Sequence, residues 1–267
     1  MADVLDITDL TWEEVRAHAD RGAVALVPTG AVEQHGPHLP LKVDTILVTH
    51  VAREAAKKLH RGPVVIVPTL WLGVSAHHTD FFALSMTSST YIEVIVQLAE
   101  SLVKGGFRRI LFLNGHGGNT DPLKVAVRKV RSAASVVVGT VNYWALAKEQ
   151  VMRYRDSEAG GISHAGELET SAMMHLEPAS VKRDRIEKRI PAWRPPYVLQ
   201  DLVEPGLVTL GLKWTDLTDN GVLGDPTLAT EEKGRHFLRA FVEEVAGLLE
   251  VMMDWELRDG SLHLSKP

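Results

Sequence analysis

Short apolar runs that alternate with segments of helical periodicity constrain this chain more than any other feature. Residues 23–28, 64–67 and 110–113 are wholly apolar, and residues 135–141 add a fourth run of the same character. A strand wetted on one face alternates polar with apolar residues, and these do not, so each is expected to be covered on both faces in a parallel sheet. Between them, Leu47, Val51, Ala55 and Leu59 recur every fourth position. Ile92, Ile95, Ala99 and Leu102 alternate threes and fours before Gly105-Gly106 stops the pattern. Strand, helix and strand in succession imply right-handed crossovers and an α/β fold, with a mostly parallel central sheet between layers of helix. From 227 to 257 a helical pattern with Phe237, Phe241, Val245, Leu248, Leu249 and Met252 on one face closes the unit. Residues 185–226 break the pattern with Pro191, Pro195, Pro196 and Pro205, and read as long surface loops or a β excursion forming a lid or a subunit contact. The tail from Ser261 is expected to fray.

Length and composition narrow the class. The chain of 267 residues is 45% hydrophobic, enough for one large core, and residues 1–267 are taken as a single domain. A formal charge of −5 and a pI near 6.2, with Lys and Arg scattered, leave no basic footprint for nucleic acid or anionic lipid. A small molecule or peptide is the expected partner. With no cysteine, disulfides and thiolate metal sites are excluded, so a transition metal would sit on histidine and carboxylate. The N-terminal residues lack the basic start and apolar stretch of a secretion signal, and the longest apolar run, 64–74, is too short for a membrane span and contains Pro68. A cytoplasmic location without membrane contact is expected.

Three clusters carry the chemistry. Glu33-Gln34-His35-Gly36-Pro37-His38, with Asp44 soon after, crowds potential ligands into one segment. Asn114-Gly115-His116-Gly117-Gly118-Asn119 follows the third strand, and His164-Ala165-Gly166-Glu167-Leu168-Glu169 supplies two more carboxylates. The first two follow strands at their carboxyl ends, the edge where open α/β sheets bind ligands. Glu33 and His35, two apart in an extended loop, point the same way. Asp44 opens the next helix, where its carboxylate could bridge two ions. With His116 and one glutamate from the third cluster, five side chains supply about six bonds, roughly three per ion, leaving room for a shared water. Three carboxylates against two divalent ions leave one positive charge, which a bridging hydroxide would cancel.

Structural readings stand beside these. Asp44 alone reads as a helix N-cap, a role compatible with ligation. His116 could be a turn residue, although Gly117-Gly118 after a strand suggests close backbone approach to a ligand. His38, His50, His60, His175 and His236 read as surface or packing histidines. His77-His78 suits a pocket or a solvated loop equally, and Trp71, Tyr143 and Trp144 suit a pocket wall or ordinary core.

Taken together, the segments 28–41 with Asp44, 114–119, His164-Ala165-Gly166 with Glu169-Thr170-Ser171, Gly73-Val74-Ser75 with His78, and 221–226 closely resemble the creatininase (creatinine amidohydrolase) family over nearly the whole chain. The resemblance implies a three-layer α/β/α fold, a homo-oligomer that is often a hexamer, and a dinuclear site using zinc, manganese or iron. It also implies hydrolysis of a non-peptide or unusual amide C–N bond. By position it makes Glu33, His35, Asp44, His116 and Glu169 the ligands, with Asp44 the bridge. Glu169 is preferred to Glu167, which falls at a variable position. His164 is placed beside the reacting centre, so His164 and Glu169 are the catalytic candidates. His78, Gly117, Gly118 and Trp144 are expected to meet substrate.

Creatinine-hydrolysing members carry a Tyr-Glu pair where this chain has Gly117-Gly118, and Phe81-Phe82-Ala83-Leu84 replaces a Phe-Pro-Gly-Thr-like run. The Gly-Gly form instead resembles members acting on formamides or modified peptides. The expected function is thus a metal-dependent amidohydrolase using a metal-bridging hydroxide, with His164 passing the proton to the leaving nitrogen. The alternatives are a formamide deformylase or a modified-peptide C-terminal peptidase of the same family. A non-hydrolytic nucleotide-binding α/β protein is disfavoured, since neither a Gly-x-Gly-x-x-Gly loop nor a Walker lysine is present.

Overall fold

The computed structural model describes residues 4–191, 197, 198, 200–258 and 261–264. Five strands form one parallel sheet, in the spatial order Leu5–Asp6, Val64–Ile66, Val24–Thr29, Arg109–Asn114, Val137–Asn142. Side chains on a strand alternate between faces, and here the alternation feeds two cores. Val24, Leu26, Leu111 and Leu113 join one core with the helices Val43–Lys57, Glu167–Leu176 and Glu231–Met252. Ala25, Val27, Ile110 and Phe112 join the other with Trp12–Asp20, Ser88–Lys104 and Thr120–Ala133. The result is a three-layer α/β/α arrangement, and the doubly covered sheet explains why the strands read as unbroken apolar runs.

Strand order fixes where a ligand can sit. From Val24–Thr29 the chain crosses to Val64–Ile66 on one side, whereas from Arg109–Asn114 it crosses to Val137–Asn142 on the other. These two neighbouring strands, paired from Val24↔Arg109 to Thr29↔Asn114, therefore send their following loops apart. That opens a crevice at their carboxyl ends, the usual ligand site of such sheets.

Local chemistry explains several boundaries. Thr11 and Glu14 form a reciprocal capping box for the first helix, Thr87 caps the helix Ser88–Lys104, and Thr230 caps the long final helix. The helix Val43–Lys57 differs. Its N-cap is Lys42, which offers no side-chain bond. Asp44 lies inside the first turn and turns its carboxylate to two histidines, so the N-cap expected of Asp44 is not made.

Other expectations are refined. Leu5–Asp6 is a fifth strand too short to show as a pattern, and the last helix ends at Met252 rather than near 257. Ser261–His263 pairs antiparallel with Glu256–Arg258 where fraying was expected. The described part of 185–226 is mostly loop with a short 3-10 turn at Trp214–Asp216, and its β part is Leu223–Gly224, which pairs antiparallel with Ile162–His164. No helix among the described residues is long and apolar enough to cross a membrane.

The final helix packs closely on Glu167–Leu176. A Cβ on Gly234 would collide with the Ser171 carbonyl oxygen and lie 2.5 Å from the Ser171 carbonyl carbon, a backbone obstacle that no rotamer change relieves. Gly234→Ala should therefore destabilise the protein by about 1–3 kcal/mol, although alanine alone favours a helix by about 1 kcal/mol. Urea unfolding measures this, and a stabilised variant would show that the two helices move apart at little cost.

Candidate metal centre

The ligand-bearing segments meet over the crevice. Glu33 lies in the short strand Val32–Glu33, which pairs antiparallel with Ala83–Leu84; His35 follows, and Asp44 arrives on the first turn of the next helix. His116 comes from the loop after Arg109–Asn114, and Glu169 from the first turn of Glu167–Leu176. All five are buried. Asp44 presents its two oxygens to different partners, with Oδ1 3.1 Å from His35 Nε2 and Oδ2 3.0 Å from His116 Nδ1. Glu33 Oε1 lies 3.3 Å from His116 Nδ1, while Glu169 Oε2 lies 3.9 Å from His35 Nε2.

Backbone carbonyls settle the ring orientations. His35 Nδ1 lies 3.1 Å from the Glu33 carbonyl oxygen, which can only accept, so Nδ1 carries the proton and Nε2 keeps its lone pair for Asp44 and Glu169. His116 Nε2 lies 3.0 Å from the Val74 carbonyl oxygen, which leaves the Nδ1 lone pair facing Glu33 and Asp44. Outer hydrogen bonds of this kind fix a histidine for metal ligation. Lone pairs set 3.0–3.3 Å from carboxylate oxygens repel one another unless a positive charge lies between. Glu33 Oε2 and Asp44 Oδ2 are also buried without a hydrogen-bond partner. The donor set therefore fits a divalent cation centre. Glu33, His35 and Asp44 place ligand atoms within 4.8 Å of one another, as do His35, His164 and Glu169.

The electrostatics of the metal-free site agree. Burial disfavours charge on His35, but Asp44, Glu169 and Glu33 outweigh it and raise its pKa to about 9. His116 is raised well above the usual range against the same burial, by Glu33 and Asp44. Glu33 is held well below the carboxylate range because His116 and His78 overcome its desolvation. Protons thus collect on the ligand histidines, where a metal would otherwise supply the charge. Glu169 is pushed up to about 7, chiefly by burial, with Asp44 and Glu33 adding to it against the opposing pull of His35.

Two residues hold the remaining parts. Gln34 donates its amide protons to His78 Nδ1 at 2.8 Å and to the Gly221 carbonyl at 3.1 Å. His78 consequently turns Nε2–H toward Glu33 Oε1, 3.2 Å away. His164 donates Nε2–H to the Gln34 carbonyl at 2.7 Å, leaving its Nδ1 lone pair 3.8 Å from Glu33 Oε1. Ala165 adopts a left-handed φ of 51°, a conformation that costs a non-glycine residue about 1–2 kcal/mol. The strained turn aims the Ala165 N–H at Glu169 Oε2, 2.5 Å away, and so directs that carboxylate inward. Glu167 points elsewhere, accepting from Asp156 N, Ser157 N and Lys233 Nζ.

Above these groups opens a cavity of about 470 Å³, lined among others by His78, His164, Gly117, Gly118 and Trp144. Trp144 is largely core, and Tyr143 packs on Phe241. Trp71 is exposed. His38 is buried and bonded to Thr170 Oγ1 at 2.9 Å, in keeping with a packing role. The outer wall comes from the long loop, through Leu202, Leu210, Leu212 and Trp214. Trp214 lies 4.1 Å from the His78 ring and 5.1 Å from that of His164, centroid to centroid. Sequence reasoning missed Trp214 and the role of Gln34; the latter had a signal in its place between two ligand candidates.

A buried histidine and carboxylate cluster at the switch point of a parallel sheet defines the class of α/β hydrolases that work through bound metal ions. The family described as creatininase, creatinine amidohydrolase, matches residues 8–249, and the chain belongs to it. A mycofactocin precursor peptide peptidase of Mycobacterium tuberculosis is 33% identical over 82% of this chain and 81% of its own length. The creatinine amidohydrolase of Pseudomonas putida is 28% identical over 92% of this chain and 96% of its own. A solved manganese creatininase superposes with a TM-score of 0.76 at 27% identity, covering 92% of this chain and 98% of that one. The protein is thus a hydrolase, an amidohydrolase of the creatininase family, and the nucleotide-binding alternative is set aside.

Proposed function

We propose that this chain, acting as one catalytic unit over residues 1–267, binds two divalent ions and hydrolyses an acyclic amide or formamide rather than creatinine. The observation that carries it is Asp44, whose two oxygens face two histidine lone pairs on opposite sides, as a bridging carboxylate requires. Glu33, His35, Asp44, His116 and Glu169 would hold the ions, for which zinc, manganese or iron suits the donors. Bound there, the ions would supply Lewis-acid activation of water and of the amide carbonyl. His164 is kept neutral by burial and by His35 and His78, so its free Nδ1 can take a proton and return it to the leaving nitrogen. Gln34 holds that ring in place, and Trp214 packs beside it on the cavity wall. We further read the protein as a homo-oligomer, with the hexamer that the family resemblance implies, and with the exposed apolar residues Leu207 and Val208 available for subunit contact.

Gly117 and Gly118 were both expected to meet substrate, but the space beside them differs. A Cβ on Gly117 meets nothing within 4 Å, whereas one on Gly118 would strike the Val74 carbonyl and lie 2.9 Å from His77 Cε1. Room for substrate is therefore at Gly117. A second reading, trimming of a modified peptide at its C-terminus, is favoured by the apolar outer wall and by the mycobacterial relatives. A panel of creatinine, formamides and short peptides, assayed with each metal, separates these readings by released formate or amino acid. Creatinine turnover within about tenfold of the best compound, a difference of only about 1.4 kcal/mol in barrier, would contradict the proposal.

A further inference from the structure

The place beside His116 that a side chain at 118 would enter is already taken. His77, on the 3-10 turn Ala76–His78, stacks parallel to His116 with ring centroids 5.8 Å apart and an interplanar angle of 8°. Its ring reaches the same corner as Glu33, and ligand atoms of Glu33, His77 and His116 lie within 4.8 Å of one another. Among the described residues neither nitrogen of His77 has a hydrogen-bond partner, in contrast to His78, which is bonded at both. Trp214 lies 5.5 Å from the His77 ring and limits its outward swing. Glycine at 118 is what permits this arrangement, since a Cβ there would come within 2.5 Å of His116 Nε2 as well as crowding His77.

We infer that His77 is a further metal ligand, completing the coordination of the ion held by Glu33, Asp44 and His116. This rests on the two-ion reading above. An ion shared among Glu33 Oε1, Asp44 Oδ2 and His116 Nδ1 has three protein donors, and a neutral imidazole adds a fourth without changing the charge balance. The ion near His35 and Glu169 does not involve this residue.

The test is stepwise removal of cobalt(II) from the fully loaded protein by a chromogenic chelator, with the visible spectrum recorded alongside. His77→Ala and His77→Gln should weaken one ion by more than the roughly 10–100-fold that loss of an outer partner costs and leave the other unchanged. The absorption of the weakened ion should shift as a nitrogen ligand is lost, and added imidazole should restore it in the alanine variant. Thermal melting of the metal-free proteins checks that both variants fold. Two ions of unchanged affinity and spectrum in both variants would overturn the assignment, whatever happens to turnover. Wild-type protein that takes up fewer than two ions would instead remove the reading on which it rests.

Discussion

Asp44→Ala should abolish binding of both ions, with losses beyond the roughly 10–100-fold that outer partners of a metal site cost, and with it nearly all hydrolysis. Asp44 divides its two oxygens between the two ligand histidines, Oδ1 facing His35 and Oδ2 facing His116. Asp44→Asn is the sharper variant. Because the helix at Val43 takes no cap bond from residue 44, asparagine removes charge without removing a cap, so the fold should survive while the metal is lost. Elemental analysis after loading and dialysis decides; an asparagine variant that retains both ions would refute the bridge.

Stripped of metal, the same pair gives a pH signature. Burial lowers the pKa of His35, but Asp44, Glu169 and Glu33 prevail and lift it to about 9, above the unfolded value near 6.5. Its protonated form therefore contributes stability that is fully present below about pH 6.5 and is lost as pH rises through about 9. In the metal-free wild type, stability should fall over that window, and Asp44→Ala should flatten the fall. Denaturant midpoints measured across the range report both.

The sheet was legible because its strands are apolar on both faces, a pattern that survives without any tertiary information. Leu5–Asp6 was not, since two residues cannot display a period. The ligand segments were legible because Glu33 and His35 follow the sheet strand Val24–Thr29 and His116 follows Arg109–Asn114, where chain direction alone brings them to one edge. Trp214 reaches the cavity from a loop whose course depends on contacts far along the chain, and nothing local marks it. The left-handed Ala165 was equally hidden, because alanine carries no signal for a positive φ. Asp44 shows the converse: its type and place fit a helix cap, and burial against two histidines overrode that local preference.

Glu167 and Glu169 should separate stability from metal binding, although both are buried on the first turn of one helix. Two positions apart on a helix place them about 200° apart around its axis, so they face different surroundings. Glu169 faces His35 and accepts from Ala165 N, whereas Glu167 accepts from Asp156 N at 3.0 Å and Ser157 N at 2.8 Å and pairs with Lys233. Glu169→Gln should lower metal occupancy strongly and change the metal-free melting temperature little, because burial, with Asp44 and Glu33 adding to it, disfavours its charged carboxylate there without metal. Glu167→Gln should leave occupancy intact and cost about 3 kcal/mol, the low end for breaking a buried ion pair, since Lys233 keeps Asp156 as a second partner. Metal analysis and urea unfolding on the same two variants provide the test. Metal loss in Glu167→Gln with full occupancy in Glu169→Gln would transfer the ligand role from one glutamate to the other.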